Sequence, residues 1–475
     1  MKLSCSCQGN TPISRKLSSS PLSLAIDFVL LCALASISME LSPMDPFMTL
    51  PSEIIQQILS YIPDFVGIES LLSTSPWVKT IFQSQPRRVM LDLIRSNPIT
   101  TVPEIQQLLY NIATINSPST YCNSIDSYLK LCPNAQTDSM AEGTPFGLRD
   151  QMTTQEIIHI IPLAANIQRL ACMCLYTMQQ NFISAVEKSL GPTAAQRAAE
   201  PIVWIEEYRV YWVLWHFQHY RTLRNTAKYR WNWSKESCKD LGDTYMTWNN
   251  IFTGLREQIW TIASVLGDLG LHPLYGYSHN KGAEKINLEE EEGHEEEPSI
   301  AAWEFPAETP IPIPFFSSLE PPPRLHSNQG DFPIWSPVPL PDDDSQTEKF
   351  WGRTSRSRLE MSNCAPMIHS YTSIIKSRPA FQQAWRDIRQ VEPFRRIGVM
   401  VWTRWRMYSV GLYSSCPRGM EISTPDGDYV RETDFRLSMY DTISRWLALV
   451  GKPPPDVGEN YDNSPSTLAK IINPR

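Results

Sequence analysis

The chain has 475 residues and a formal net charge of −8, with 42 % hydrophobic residues, 39 Pro and 15 Trp. The apolar share is enough for a sizeable core and excludes a wholly disordered chain. The acidic balance gives no general attraction to nucleic acid or to anionic membrane, so neither is an expected partner.

Residues 1–43 read as a leader outside the fold. Its apolar run Pro21–Ser38, with Lys2, Arg15 and Lys16 upstream, outlines a signal or anchor segment, but Asp27 interrupts it and the run is short for a bilayer span. The favoured reading is translation from Met39, Met44 or Met48. A true signal or anchor and an ordinary disordered leader stay open, and without a real anchor no membrane is expected. No other segment reads as a bilayer span. Ten Cys are scattered with no C-x-x-C pair, which fits free thiols in a reducing compartment.

Residues 44–95 form a compact apolar module. Pro51 suits a first helical turn, and Glu53 is favoured there by the helix dipole. Leu50, Ile54, Ile58, Leu59 and Ile62 form one apolar stripe, with Ile55 as a second edge. Pro63 and Asp64 end that helix. Ile68, Leu71 and Leu72 begin a second one, and Trp77, Ile81 and Phe82 make a third apolar face. Three short helices cannot hide so many large side chains among themselves, so the surplus implies a further covering surface.

Residues 96–279 read as a helical domain. Val102–Ile115, Thr154–Leu190, Pro201–Tyr229 and Thr247–Gly270 carry apolar residues at spacings of three and four, the last ending at Gly267 and Gly270. Glu53-Ile54, Glu104-Ile105 and Glu156-Ile157 recur at roughly fifty-residue steps, which fits Glu in a first helical turn better than an internal repeat. Trp204, Tyr208, Tyr211, Trp212, Trp215, Phe217 and Tyr220 cover more than one helix face and read as core. Glu206, Glu207 and Arg209 read as that helix's polar side, with structural ion pairs. His216 and His219 lie three apart with no further ligand at metal spacing, so neither metal nor cofactor is assigned.

Residues 280–349 change character. Seven Glu within 289–297 precede Pro-rich stretches, a composition that gives neither helix nor sheet. Order returns over 350–450, read as a C-terminal helical region packing on the helical domain, with "STPDGDY" as a turn. Residues 451–475 read as a disordered tail. The segments around Trp351–Arg358 and Phe394–Tyr408 mix Arg with aromatics, and read as a solvated face or as a partner for the acidic segment. Strand signals are weak, so the expected fold is mainly α.

The spacing Leu50, Pro51, Glu53, Ile54, Ile58, Leu59, Leu71, Leu72, Ser75, Trp77 and Phe82 resembles the F-box. Ser75 and Pro76 stand where many F-boxes carry Cys and a basic residue. The runs Trp204–Asn225 and Phe394–Leu412 resemble a family of filamentous-fungal F-box proteins with a large helical C-terminal region. The resemblance implies docking on a Skp-type adaptor, and through it on a cullin. The docking residues would be Leu50, Pro51, Ile54, Ile58, Leu59, Ile62, Leu71, Leu72, Trp77 and Phe82. It implies a cytoplasmic or nuclear, non-catalytic receptor that brings a protein substrate to ubiquitin transfer. The alternative is a helical interaction scaffold whose F-box-like cap is only structural. No phosphate loop, nucleophile elbow or zinc-protease motif suggests an enzyme.

Overall fold

A computed structural model describes residues 45–132, 153–249, 253–271, 392–412, 422–423, 429–430 and 439–451. The leader, the acidic and Pro-rich segment and the tail therefore lie outside the described residues. Those residues fold as a mainly α protein.

Four short helices open the chain: α1 (Ser52–Tyr61), α2 (Phe65–Thr74), α3 (Pro76–Ser84) and α4 (Pro86–Ser96). Each junction is marked in the sequence. Asp64 caps α2, accepting from Gly67 N at 2.7 Å. Ser75 caps α3, accepting from Val78 N at 3.0 Å, and Pro occupies the first turn of α3 and of α4. Then come α5 (Pro103–Asn116), α6 (Ile125–Leu131), α7 (Thr154–Leu190) and α8 (Pro192–Ala198). They are followed by α9 (Trp204–Tyr229), α10 (Lys235–Trp248) and α11 (Thr253–Leu266), the last running into a π turn at Gly267–Leu271. Beyond residue 391 stand α12 (Glu392–Arg396), α13 (Arg404–Ser409) and α14 (Met439–Leu449). A two-residue antiparallel pair, Ile422–Ser423 with Tyr429–Val430, flanks the turn read in the sequence.

The axis of the body is α7 against α9. Around them pack α2, α4, α5, α8, α11 and α14. Helix α7 has 37 residues, about 55 Å at 1.5 Å per residue. Thr153 and Glu156 close a reciprocal capping box at its start. By length and apolarity α7 would cross a bilayer, contrary to the sequence expectation for this part of the chain. Two thirds of its most apolar window is buried inside the body, so it serves as the core helix. The three Glu-Ile pairs each open a helix, but those helices have 10, 14 and 37 residues, too unequal for a repeat.

All seven aromatic residues singled out on α9 are buried, as a core reading requires. The polar residues among them are the correction: Glu206, Glu207 and Arg209 are also fully buried, so α9 has no solvated face along this stretch. A buried charge persists only when paired and hydrogen-bonded. Arg406 meets Glu206 at 2.8 Å and 3.0 Å, through Nη2 and Nε. Its other three N–H groups donate to the carbonyls of Ala198, Glu200 and Pro201, so all five donors are used. Glu206 accepts further from Thr403 N, Thr403 Oγ1 and Val203 N. Burial alone would raise its pKa; Arg406 and these donors outweigh that and hold the carboxyl below its ordinary value. Arg209 donates to the carbonyls of Val401 and Trp402. The Arg-aromatic stretch at 394–408 is thus an intramolecular partner of α9, and the acidic segment lies outside the described residues.

That stretch is two short helices rather than the longer one suggested by its apolar spacing. Gly398 at φ 70° and Gly411 at φ 79° each stop a helix. Both ends carry the same pair of bonds: Val399 N to Phe394 O with Gly398 N to Arg395 O, and Leu412 N to Met407 O with Gly411 N to Tyr408 O. This is the Schellman closure, in which the left-handed residue favours glycine. A Cβ on Gly398 would also lie 3.0 Å from Met178 and Trp402. Nearby, Arg396 and Asp268 lie 3.6 Å apart, joining α12 to the end of α11.

His216 and His219 are buried in a hydrogen-bonded chain. Tyr128 Oη lies 2.6 Å from His219 Nε2, and Tyr245 Oη lies 2.9 Å from Nδ1 of both histidines. Desolvation holds His219 down to about 3, so the ring is neutral.

Two predictions follow from these interior groups. Glu206→Ala leaves Arg406 charged and buried, and is expected to cost about 3–5 kcal/mol in urea denaturation. His219 contributes its full stability above about pH 6.5, where the unfolded ring is also neutral, and loses it as the pH falls toward 3. The slope reaches about 1.4 kcal/mol per pH unit and should disappear in His219→Gln. Glu206 adds its own loss only below about pH 4.3, so between about pH 6.5 and pH 5 the difference in urea midpoint between wild type and His219→Gln reports the histidine.

Candidate functional site

One surface open to a partner is the outer side of α1–α3, where Ile54 and Tyr61 are exposed. A short 3-10 turn at Pro46–Thr49 leads into it, held by Asp45. The Asp45 carboxylate accepts from Phe47 N at 3.0 Å, Ser75 Oγ at 2.6 Å and Trp77 N at 3.1 Å. Partial desolvation acts to raise its pKa, but these donors prevail and hold it below the ordinary value. Ser75 and Pro76, the departure from the usual F-box pattern, therefore build a well-capped start to α3.

The structure divides the ten residues expected to dock. Leu59 and Phe82 are each only 1 % exposed and form the inner seam with Ile55, Val78 and Ile81. Pro51 is exposed, and Ile54 stands 43 % exposed. Leu50, Ile62, Leu71, Leu72 and Trp77 are half-buried: they pack on the core and keep part of their surface outside. Ile58 is half-buried as well. The single stripe expected on α1 is thus two edges, with Ile55 and Leu59 inward and Ile54 and Ile58 outward. Two large apolar side chains join the open face without having been singled out, Met48 and Tyr61, at 60 % and 50 % exposure. The Trp77 indole Nε1 is shielded from solvent and has no acceptor among the described residues. Gly67 lets α2 begin close under α1, since a Cβ there would lie 2.9 Å from Ile62 Cγ2.

The opposite side of the cap is fastened to the body. Helices α2 and α4 pack on α7. Gln168 on α7 accepts from Phe65 N at 3.0 Å, and Arg169 pairs with Glu69 at 2.5 Å. Asn97 donates to Pro63 O at 3.0 Å. Burial beside this junction raises the pKa of Asp64; its bonds from Gly67 and Gln168 and the nearby Arg169 oppose that shift without cancelling it. No group of three or more His, Cys, Asp or Glu among the described residues is placed to hold a metal ion.

Comparison with protein-family models, with characterised proteins and with solved structures finds no match.

The division between seam and open face is measurable. Ile54→Ser is expected to change unfolding free energy by less than about 0.5 kcal/mol, as at exposed sites generally. Leu59→Ala should cost about 2–5 kcal/mol in the same urea titration, because it opens a cavity.

Proposed function

We propose that the chain is an F-box substrate receptor: its cap docks on a Skp-type adaptor, and its helical body presents a protein substrate for ubiquitin transfer. One observation carries the reading. Met48, Ile54 and Tyr61, three of the six exposed large apolar side chains among the described residues, lie in one short cap whose spacing resembles the F-box. Exposed apolar surface on this scale marks interaction sites.

The role is non-catalytic. A receptor of this kind raises the effective concentration of substrate lysines near an activated ubiquitin carried elsewhere in the assembly. The docking set on this reading is Leu50, Pro51, Ile54, Ile58, Ile62, Leu71, Leu72 and Trp77, with Leu59 and Phe82 holding the seam behind them. The fastening of α2 and α4 to α7 supports the same reading, since a receptor works by holding the substrate at a set distance from the adaptor.

A second reading, a helical scaffold whose cap is only structural, is favoured by the burial of Ile55, Leu59, Ile68 and Phe82 within the chain itself. One experiment separates the two. Purified Skp-type adaptor is captured on the full chain and on Leu50→Ala/Pro51→Ala and Ile54→Asp variants. Hot-spot loss of 2 kcal/mol or more predicts binding at least about thirtyfold weaker for the variants. No capture by the wild type, or equal capture by all three, leaves the structural-cap reading standing.

A further inference from the structure

A second concentration of exposed aromatic surface lies at the far end of α9. At the near end, Trp204 Nε1 donates to Pro98 O, just behind the cap. The helix then runs 26 residues, about 39 Å at 1.5 Å per residue, to Tyr229. There the chain turns through Trp231 and Trp233, both buried, with rings stacked 5.8 Å apart. Between them Asn232 sits at φ 53°, the left-handed region that Asn tolerates better than most residues. That turn sends both indoles inward.

The two indoles bind a second segment. Trp231 Nε1 donates to Thr120 O at 3.0 Å, and Trp233 Nε1 to Cys122 O at 2.7 Å. Arg230 donates to the carbonyls of Ile115, Asn116 and Thr120. The loop after α5 is thereby fixed to the end of α9, and the residue between the two anchored carbonyls, Tyr121, is left 68 % exposed. Tyr229 is 67 % exposed, with Lys228 Nζ 4.8 Å from its ring centroid. Leu131, at the end of α6, is 41 % exposed, and α6 is tied to the same place by Tyr128 against Trp231.

The charge of this corner opposes that of the chain. Lys130, Lys228, Arg230 and Lys235 are exposed, as are Asp126 and Glu236. The excess is cationic in a protein of net charge −8. Exposed aromatic rings on segments that also carry exposed cations suit a partner segment that offers both carboxylates and apolar side chains. Leu131 and the two exposed rings offer apolar contact that a polyphosphate backbone does not use, and so favour the peptide.

We propose that this corner docks an acidic peptide segment of a partner protein, with Tyr121, Tyr229 and Leu131 taking its apolar side chains and the four cations its carboxylates. That the partner is the substrate of the receptor rests on the function proposed above; the docking itself does not.

The test is fluorescence anisotropy of the full chain with a labelled Glu-rich peptide carrying Leu and Phe, and with its Gln-for-Glu counterpart. The Glu peptide should bind, more weakly at high salt, and the Gln peptide should not. Tyr121→Ala/Tyr229→Ala and Lys130→Glu/Lys235→Glu should each weaken binding at least roughly tenfold. All four side chains are exposed, so the thermal midpoint should hold. No binding by the wild type, wild-type binding by either variant, or preference for a labelled single-stranded oligonucleotide overturns the proposal. Binding that emerges only after the Glu residues of 289–297 are changed to Gln assigns the corner to the chain's own acidic run, and overturns the partner. Adaptor capture by the two corner variants should equal wild type, and Ile54→Asp should bind the peptide normally, so failure of either reading shows separately.

Discussion

The structure turns on one ion pair in its interior. Glu206 and Arg406 lie two hundred positions apart in sequence and almost wholly out of water. Neither charge is tolerable there alone. Arginine suits the place because its planar fork serves a carboxylate on one side and three backbone carbonyls on the other. The three carbonyls come from the end of α8 and the connection that follows it, where Gln179 on α7 also donates to Glu200 O. The pair therefore closes the body twice over: it neutralises the base of the central helix, and it gives an irregular connection its hydrogen bonds. Gly398 and Gly411 make this geometry accessible by ending the flanking helices, so that Thr403 and Arg406 both reach α9.

From that closure the rest is layered. The aromatic face of α9 is sealed on all sides, which frees α7 to act as a platform for the amino-terminal cap. The cap is amphipathic in an unusual sense. Its inner edge belongs to the body through Phe65, Ile68 and the Gln168 junction, while its outer edge keeps apolar side chains in water. The open edge and the Tyr121–Tyr229 corner stand at opposite ends of α9, and the rigid helix between them sets their separation.

Helix positions and the mainly α class were legible in the sequence, because long apolar periodicities and Pro, Ser and Asp at helix starts carry that information locally. The cap was legible for the same reason. Whether α1 faces inward with Ile54 or Ile55 was not, since adjacent residues lie about 100° apart on a helix and only the position of α3 decides between them. Glu206 and Arg209 were misjudged as solvated because a charged residue is ordinarily outside, and the partner that reverses this is far along the chain. The two-helix form of 394–412 was signalled by Gly398 and Gly411, which the apolar spacing overshadowed. The corner at Tyr121 and Tyr229 had no sequence signal, as it depends on Trp231 and Trp233 drawing in a distant loop.

The contact of Asp268 with Arg396 has one more consequence. It brings α12 beside the end of α11, two segments more than a hundred positions apart in the chain. The entropy of closing so long a span grows only slowly with its length, about 0.6 kcal/mol per doubling. The half-exposed ion pair adds little by itself. The seam therefore rests on apolar packing, with Leu266 and Phe394 both buried, and would outlast the loss of either charge.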